Sequence, residues 1–520
     1  MTKIYVPLDS SAVAMGADEV AGKIEAITGV APVRNGSRGM AWLEPLVEVE
    51  TPEGRVAYGP VTVDDVEALV RDGMLEGRAH ALCHGQTDEI PFLKNQERLT
   101  FSRCGITNPL SMDDYASHGG LEGVQKAIGM SAEAICEEVM TSGLRGRGGA
   151  AFPAGIKWNT VRSAEADQKY IVCNADEGDS GTFADRMIME GDPLLLIEGM
   201  VIAGLGVGAT KGYIYLRSEY PVAKRVLTAA IDRAYWKGLL GGDVLGSGKA
   251  FHLEVFMGAG AYICGEETSL LESLEGKRGQ VRAKPPLPAL EGLHGKPTLV
   301  HNVISLCAVP TILAKGGAFY RDHGMGRSTG TMPFQIAGNV AHGGLVEKAF
   351  GVTLGELVND FGGGTRTGRP VMAAQVGGPL GAYIPADKFD MPMDYETFMG
   401  IGAGVGHGGI VVFDDTADMA AQAKYAFDFC AHESCGKCTP CRIGAVRGSE
   451  VMAKVIVGED VDANLELIED LIEVMEDGSL CAMGGMTPVP VKSVLNYFPE
   501  AVGRGSERYQ HGRRRIKWRS

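Results

Sequence analysis

Three cysteines fall within seven residues, in Ser434-Cys435-Gly-Lys-Cys438-Thr-Pro-Cys441, and a fourth, Cys481, follows forty residues later. One tight loop can wrap three irons of a cubane while a remote cysteine takes the fourth, so this 3+1 spacing predicts a 4Fe–4S cluster. Structural zinc is the rival reading. Four-cysteine zinc sites usually pair two separate C-x2-C knuckles, whereas this chain has a single C-x2-C-x2-C run. The sequence holds 11 cysteines and shows no N-terminal signal peptide. That combination indicates a reducing compartment, where clustered thiols serve metal rather than disulfides. Cys83, Cys104, Cys136, Cys173, Cys264, Cys307 and Cys430 are scattered singly and read as small buried hydrophobes. Cys430 lies close to the loop, but the other four thiols already account for four irons. Beyond residue 415 the chain reads as a compact helical bundle to residue 502, with Leu465, Ile468, Ile472 and Met475 in an apolar stripe at 3,4 spacing.

The 520 residues leave room for further domains, and the chain reads as a multidomain α/β protein. Residues 121–332 alternate helices with short apolar runs at 170–173, 212–216 and 253–257, which predicts a mostly parallel sheet. Residues 333–414 are Gly-rich with short strands and a helix at 353–361, suggesting a small β-grasp-like unit. Residues 1–85 read as a small α/β unit, with strands at 3–7, 46–50 and 55–58 and helices at 17–27 and after residue 61. Residues 86–120 read as an extended linker. The apolar stretch 194–209 is broken by Glu198 and four glycines and is too short to span a bilayer, so it reads as a buried helix. A net charge of −16 argues against nucleic acid or an anionic membrane surface as a partner. The tail 503–520 inverts that sign with Arg504, Arg508, Arg513, Arg514, Arg515, Lys517 and Arg519. It reads either as a solvated arm or as one docking on an acidic face.

A second motif is Gly143-Leu-Arg145-Gly146-Arg147-Gly148-Gly149-Ala-Ala-Phe152-Pro-Ala-Gly-Ile-Lys157-Trp158. Glycines let backbone N–H groups close around phosphate oxygens, and Arg145, Arg147 and Lys157 supply compensating charge. No Gly-Lys-Ser/Thr closes it, and it does not match G-x-G-x-x-G, so neither a P-loop nor a standard dinucleotide fingerprint is supported. A flexible loop without ligand remains the alternative. The strand at 170–173 runs into Asn174-Ala-Asp176-Glu177-Gly-Asp179, at the strand end where open α/β sheets bind ligands. Later, Gly258-Ala-Gly260-Ala-Tyr262-Ile-Cys-Gly265-Glu266-Glu267-Thr268 sets a glycine-lined turn before a helix. Glu266 and Glu267 would repel an anion there, so they are expected to face sugar hydroxyls, a flavin edge or nicotinamide.

Taken with K-P-P at 284–286, H-N-V at 301–303 and E-S-C-G-K-C-T-P-C at 433–441, these motifs closely resemble the NADH-binding 51-kDa-type flavoprotein subunits of respiratory complex I. The same module occurs in NAD-linked hydrogenases and in molybdenum- or tungsten-dependent NAD-linked formate dehydrogenases. The resemblance runs from about residue 90 to 500, with the motifs in the family's order. It implies a Rossmann-like FMN-binding α/β domain, a β-grasp domain and a helical bundle holding the cluster. Gly146, Arg147, Gly148, Lys157, Asn174, Asp176, Tyr262, Gly265, Glu266 and Asn302 are expected around FMN. Phe152, Glu177, Asp179 and Glu267 are expected near the NAD+/NADH, and Cys435, Cys438, Cys441 and Cys481 on the iron. Asp179 stands where a longer Glu is common, His301, beside Asn302, where Asn is frequent, and Leu287 where an aromatic can stack on adenine.

Residues 1–85 resemble the thioredoxin-like fold of the small 2Fe–2S partner protein, without its cluster cysteines. Such an extension looks most like the beta subunit of a soluble formate dehydrogenase. That likeness implies a cytoplasmic chain passing electrons from a molybdopterin-containing iron–sulfur catalytic subunit, alongside a 2Fe–2S small subunit, to NAD+. A complex I or hydrogenase flavoprotein subunit is the alternative. No side chain is expected to act as nucleophile or general base, because hydride exchange belongs to the flavin.

Overall fold

A computed structural model describes residues 2–503; of the basic tail, residues 504–520 lie outside the described residues. Four hydrophobic cores organise it. The first unit is an antiparallel sheet of Ile4–Tyr5, Val47–Thr51, Gly54–Tyr58 and Cys83–Gln86, in that order. Val20, Ala21 and Ile24 of helix Ala17–Thr28 share one buried core with Val47, Val49 and Val56 of the sheet. The Pro-Glu-Gly turn between the middle strands closes on Gly54 at φ +129°, a conformation glycine adopts without steric cost.

Residues 86–120 differ from the expected linker. They carry helices Pro91–Lys94 and Met112–Ser117 and are bonded into the body of the protein. The Glu347 carboxylate accepts from the amides of Thr100 (2.9 Å) and Phe101 (2.8 Å), and Arg103 Nε lies 3.0 Å from Asp192. Each of these partners lies roughly a hundred or more residues away, so local sequence carried no sign of them.

The second unit is the parallel sheet. Its strands His252–Met257, Lys211–Leu216, Tyr170–Ala175 and Thr298–Asn302 lie in that spatial order. The chain starts at Tyr170–Ala175, winds outward through two strands, then returns to place Thr298–Asn302 on the other side of the first strand. That reversal is a topological switch point, and crevices open there beyond the strands' carboxyl ends. Helix Pro193–Val207 is buried on every face, as its apolar composition requires, and its one charged residue, Glu198, accepts from the amides of Leu121 and Val124 at 2.9 Å each. No described helix is long and apolar enough to cross a membrane.

The third unit is a five-stranded mixed sheet in the order Gly344–Ala349, Thr331–Gly338, Gly409–Asp414, Val371–Val376, Ala382–Pro385, with its central pair Thr331–Gly338 and Gly409–Asp414 parallel. The expected helix there is a π-helical turn, Glu356–Phe361. The chain then forms helices Met419–Glu433, Thr439–Ile456, Val461–Gly478 and Pro488–Tyr497. Leu465, Ile468, Ile472 and Met475 are the buried residues of the third of these.

Candidate functional site

The switch point brings Asn174 and Asn302 side by side in parallel register. Asn174 Nδ2 donates to the Gly265 carbonyl at 2.7 Å, fastening the glycine-lined turn at 258–265 across the strand ends. Asn302 caps helix Val303–Lys315 through Ser305 N. The glycine loop folds over the same edge as a closed excursion, with Gly146 N bonded to Phe152 O (2.9 Å) and Ala154 N to Leu144 O (2.8 Å). Gly148 rides directly over Asn302, where a Cβ would lie 3.2 Å from that of Asn302.

Charge within this cradle is arranged differently from expectation. Arg147 is only 1% exposed, and its guanidinium is consumed by the carbonyls of Arg145, Thr329 and Thr331 and by the Tyr320 hydroxyl. Arg145 likewise donates to Ala151 O and pairs with Glu396 at 2.6 Å. Both arginines therefore brace the loop, Arg147 against the segment 329–331 and Arg145 against Glu396. Of the three basic side chains in the motif, Lys157 is the one that reaches the strand ends, 3.1 Å from Val300 O and 3.4 Å from Glu267.

Glu266 caps helix Glu267–Leu274, accepting from Thr268 N (2.8 Å) and Ser269 N (2.9 Å) with one oxygen. The carboxylate thus occupies the place an anionic ligand would take at that helix start. Lys284 bridges Glu266 and Glu267 at 2.9 Å each. Burial would raise the Glu267 carboxyl, but Lys157 and Lys284 outweigh it and hold it below its usual range.

The acidic turn divides its carboxylates. Asp176 Oδ2 is buried without a hydrogen-bond partner, and burial pushes this carboxyl up to about 7 despite nearby Arg217. Asp179 accepts from the Tyr262 hydroxyl at 2.7 Å, and burial raises it as well. Glu177, expected near the nicotinamide, turns its carboxylate into the interior. There it accepts from the amides of Asp185 and Arg186 (3.1 Å each) and from the Tyr220 hydroxyl (3.0 Å), capping helix Ala184–Gly191. His301 also faces inward, accepting from Trp158 Nε1 at 3.0 Å; burial and then the Lys157 charge keep its imidazole neutral. Adjacent strand residues point to opposite faces, so Asn302 lines the cradle while His301 backs it. Phe152 (49% exposed) and Leu287 (51%) stand open to solvent.

His407 was missed. Its Nε2 lies 3.1 Å from Asp185 and 3.4 Å from Glu177, while Nδ1 donates to the Arg147 carbonyl at 2.7 Å. Burial opposes protonation, yet the two carboxylates hold the imidazole well above its usual value. The same cation, with two backbone amides, keeps Glu177 below its ordinary range, while burial lifts Asp185 to about 6. This imidazolium ties the third unit to both the glycine loop and the acidic turn. Its partners lie more than 220 residues away in a Gly-rich stretch, and nothing in the sequence marked it.

The four cysteines converge where two glycines permit it. A Cβ on Gly484 would fall 2.7 Å from that of Cys441, and one on Gly478 would fall 2.8 Å from Pro440. Cys435 and Cys441 are buried; Cys438 and Cys481 are half-buried. Four thiols in a 3+1 arrangement are a donor set that an iron–sulfur cubane takes. Hydrogen bonding from Cys430, then from Ser434 and Cys438, lowers the Cys441 thiol to about 6, while burial raises Cys481 to about 11.

The two sites are joined directly. Tyr262 N donates to Glu433 at 3.1 Å, and its ring meets Phe429 edge-on at 4.8 Å. Lys437 Nζ reaches the Val281 carbonyl at 2.6 Å, and Gln280 Nε2 the Cys435 carbonyl at 3.4 Å. A switch-point cradle bonded to a four-thiol loop defines an α/β protein with a candidate cofactor site beside a candidate metal site.

Residues 139–311 match the family described as the Nuo51 FMN-binding domain, and residues 421–505 the NADH-ubiquinone oxidoreductase-F iron-sulfur binding region. The chain is 42% identical over 388 residues to the F 2 subunit of NADH-quinone oxidoreductase of Rhizobium meliloti (strain 1021), covering 74% of this chain and 92% of that one. It is 43% identical over 405 residues to the HndC subunit of the NADP-reducing hydrogenase of Solidesulfovibrio fructosivorans, covering 78% and 82%. Among solved structures, the air-oxidized NAD+-reducing [NiFe]-hydrogenase superposes with a TM-score of 0.69 at 29% identity, covering 96% of this chain and 84% of that one. The chain belongs to the 51-kDa-type NADH-quinone oxidoreductase flavoprotein family, and its cofactors are FMN and a 4Fe–4S cluster, with NAD(H) as its nucleotide.

Proposed function

We propose that this chain is the NAD(H)-reactive flavoprotein component of a multisubunit dehydrogenase, exchanging electrons between pyridine nucleotide and iron–sulfur partners. The observation that carries this reading is the direct bond between Tyr262 of the cradle and Glu433, two residues before the first cluster cysteine. Bound FMN supplies the conversion between hydride exchange and single-electron steps. The chain's own residues position it. Gly146, Gly148, Asn174, Gly265 and Asn302 shape the cradle, Lys157 offers positive charge, and the unpartnered Asp176 oxygen offers a polar contact. Phe152, Asp179 and Glu267 stand at the nucleotide side, Tyr262 orients Asp179, and Glu266 with Lys284 fixes the helix start. Arg147, Glu177 and His301 act from behind the cradle. Cys435, Cys438, Cys441 and Cys481 hold the cluster.

The same reading takes residues 1–85 as thioredoxin-like, 121–332 as Rossmann-like, 333–414 as β-grasp and 415–502 as the cluster bundle. Its finer form is a cytoplasmic formate dehydrogenase that reduces NAD+, with a molybdopterin-containing subunit upstream and a 2Fe–2S small subunit alongside. That form rests on the likeness of residues 1–85 to the thioredoxin-like small partner, and none of the relatives described above is named for formate. A hydrogenase setting is favoured by a specific observation, the superposition over 96% of this chain. The experiment is to purify the intact complex anaerobically and supply formate or hydrogen with NAD+. NADH formation from formate supports the finer reading; NADH formation from hydrogen alone overturns it.

A further inference from the structure

Cys430 lies on helix Met419–Glu433, fully buried, and outside the four-cysteine set. Its Sγ is 3.6 Å from Sγ of Cys441, on the neighbouring helix Thr439–Ile456, and 3.8 Å from the Met483 carbonyl oxygen. A Cys441 sulfur bound to iron has no proton to give, so the hydrogen between the two sulfurs belongs to Cys430. That hydrogen has two acceptors within reach. The iron-bound thiolate is the nearer and carries negative charge, and charge-assisted hydrogen bonds are the stronger ones. Ser434 Oγ, 3.1 Å from the same sulfur, already accepts from Gly436 N at 3.1 Å, which leaves its own hydrogen for Cys441. Hydrogen bonds to cluster sulfurs are among the levers that set an iron–sulfur potential. A donor stabilises the extra negative charge of the reduced cluster more than that of the oxidised one.

We propose that Cys430 is a tuning residue for the cluster: its thiol donates to Cys441 Sγ and makes the cluster easier to reduce. This rests on the ligand assignment given under Proposed function. Cys430 holds no iron; it acts through Cys441.

The test is an EPR-monitored redox titration of the full-length protein carrying flavin and cluster, as wild type, Cys430→Ala and Cys430→Ser. Cys430→Ala is expected to retain four irons while its cluster midpoint moves to a more negative potential and the flavin couple stays in place. Cys430→Ser, which keeps a donor, moves the midpoint back toward wild type. A midpoint in Cys430→Ala that is unchanged or more positive, with iron intact, overturns the proposal. Loss of the cluster from both variants also overturns it, since Cys430 would then be needed for assembly. A wild-type protein without a 4Fe–4S signal overturns the ligand assignment itself.

Discussion

The Glu433 carboxylate accepts the backbone N–H of Tyr262 at 3.1 Å, joining the helix that leads into the cluster loop to the turn that closes the flavin cradle. Glu433 stands two residues before Cys435, and Tyr262 also donates its hydroxyl to Asp179. The contact therefore runs from the acidic turn to the iron ligands through two side chains.

Glu433→Ala removes a hydrogen bond to a charged group, worth about 1.5–3 kcal/mol. Flavin and iron content are expected to stay at wild-type levels. In stopped-flow mixing with NADH, the flavin should be reduced at the wild-type rate and the cluster several-fold more slowly. Slowed flavin reduction with an unchanged cluster step would count against the coupling role.

Arg147 and Lys157 separate two kinds of basic residue that the glycine loop presents alike in sequence. Arg147→Met strands three buried carbonyls, so unfolding in urea should reveal a loss of at least about 3 kcal/mol. Lys157→Met should cost little stability but weaken FMN retention about tenfold, or about 1.4 kcal/mol. Flavin loss from Arg147→Met without destabilisation would show that its guanidinium faces the cofactor after all.

What could be read in advance was whatever depends on local periodicity or spacing. The parallel strands, the Leu465–Met475 stripe, the cysteine set and the glycine loop all fall in this group. The orientation of individual side chains could not be read, because it depends on register between distant segments. His301 and Asn302 are neighbours in sequence yet face opposite sides of one strand. Glu177 looks like its neighbours Asp176 and Asp179 until helix Ala184–Gly191 folds back and offers it two amides. Residues 86–120 read as linker because their partners, Asp192 and Glu347, lie far along the chain.

His407 carries a pH signature. Its folded pKa lies well above the ordinary 6.5 because Asp185 and Glu177 flank it, against the effect of burial. A raised folded pKa contributes stability that is fully present below the unfolded value and lost as pH rises through the folded one. Stability from this contact should therefore persist through neutrality and decline in alkaline solution. His407→Ala leaves two buried carboxylates without their cation, a loss of about 3–5 kcal/mol at pH 7. The variant should regain part of it on acidification, as one carboxylate takes up a proton. Thermal melts of both proteins from pH 5 to 10 check the two windows, the wild type declining only in alkaline solution and the variant already as pH rises from 5 toward neutrality.

Cys481→Ala removes the remote cysteine of the 3+1 set. Iron analysis and EPR should show the cubane disrupted, while FMN content and NADH-linked dye reduction largely survive. Loss of FMN with an intact cluster would contradict the placement of the two sites in separate units.

The most direct measurement is the visible spectrum of oxygen-protected protein before and after excess NADH, with flavin and metal analysis of the same sample. The account predicts one FMN and four irons per chain, and bleaching of both the flavin band and the broad iron–sulfur absorbance. A colourless protein holding zinc, or a coloured one whose bands NADH leaves unchanged, would contradict it.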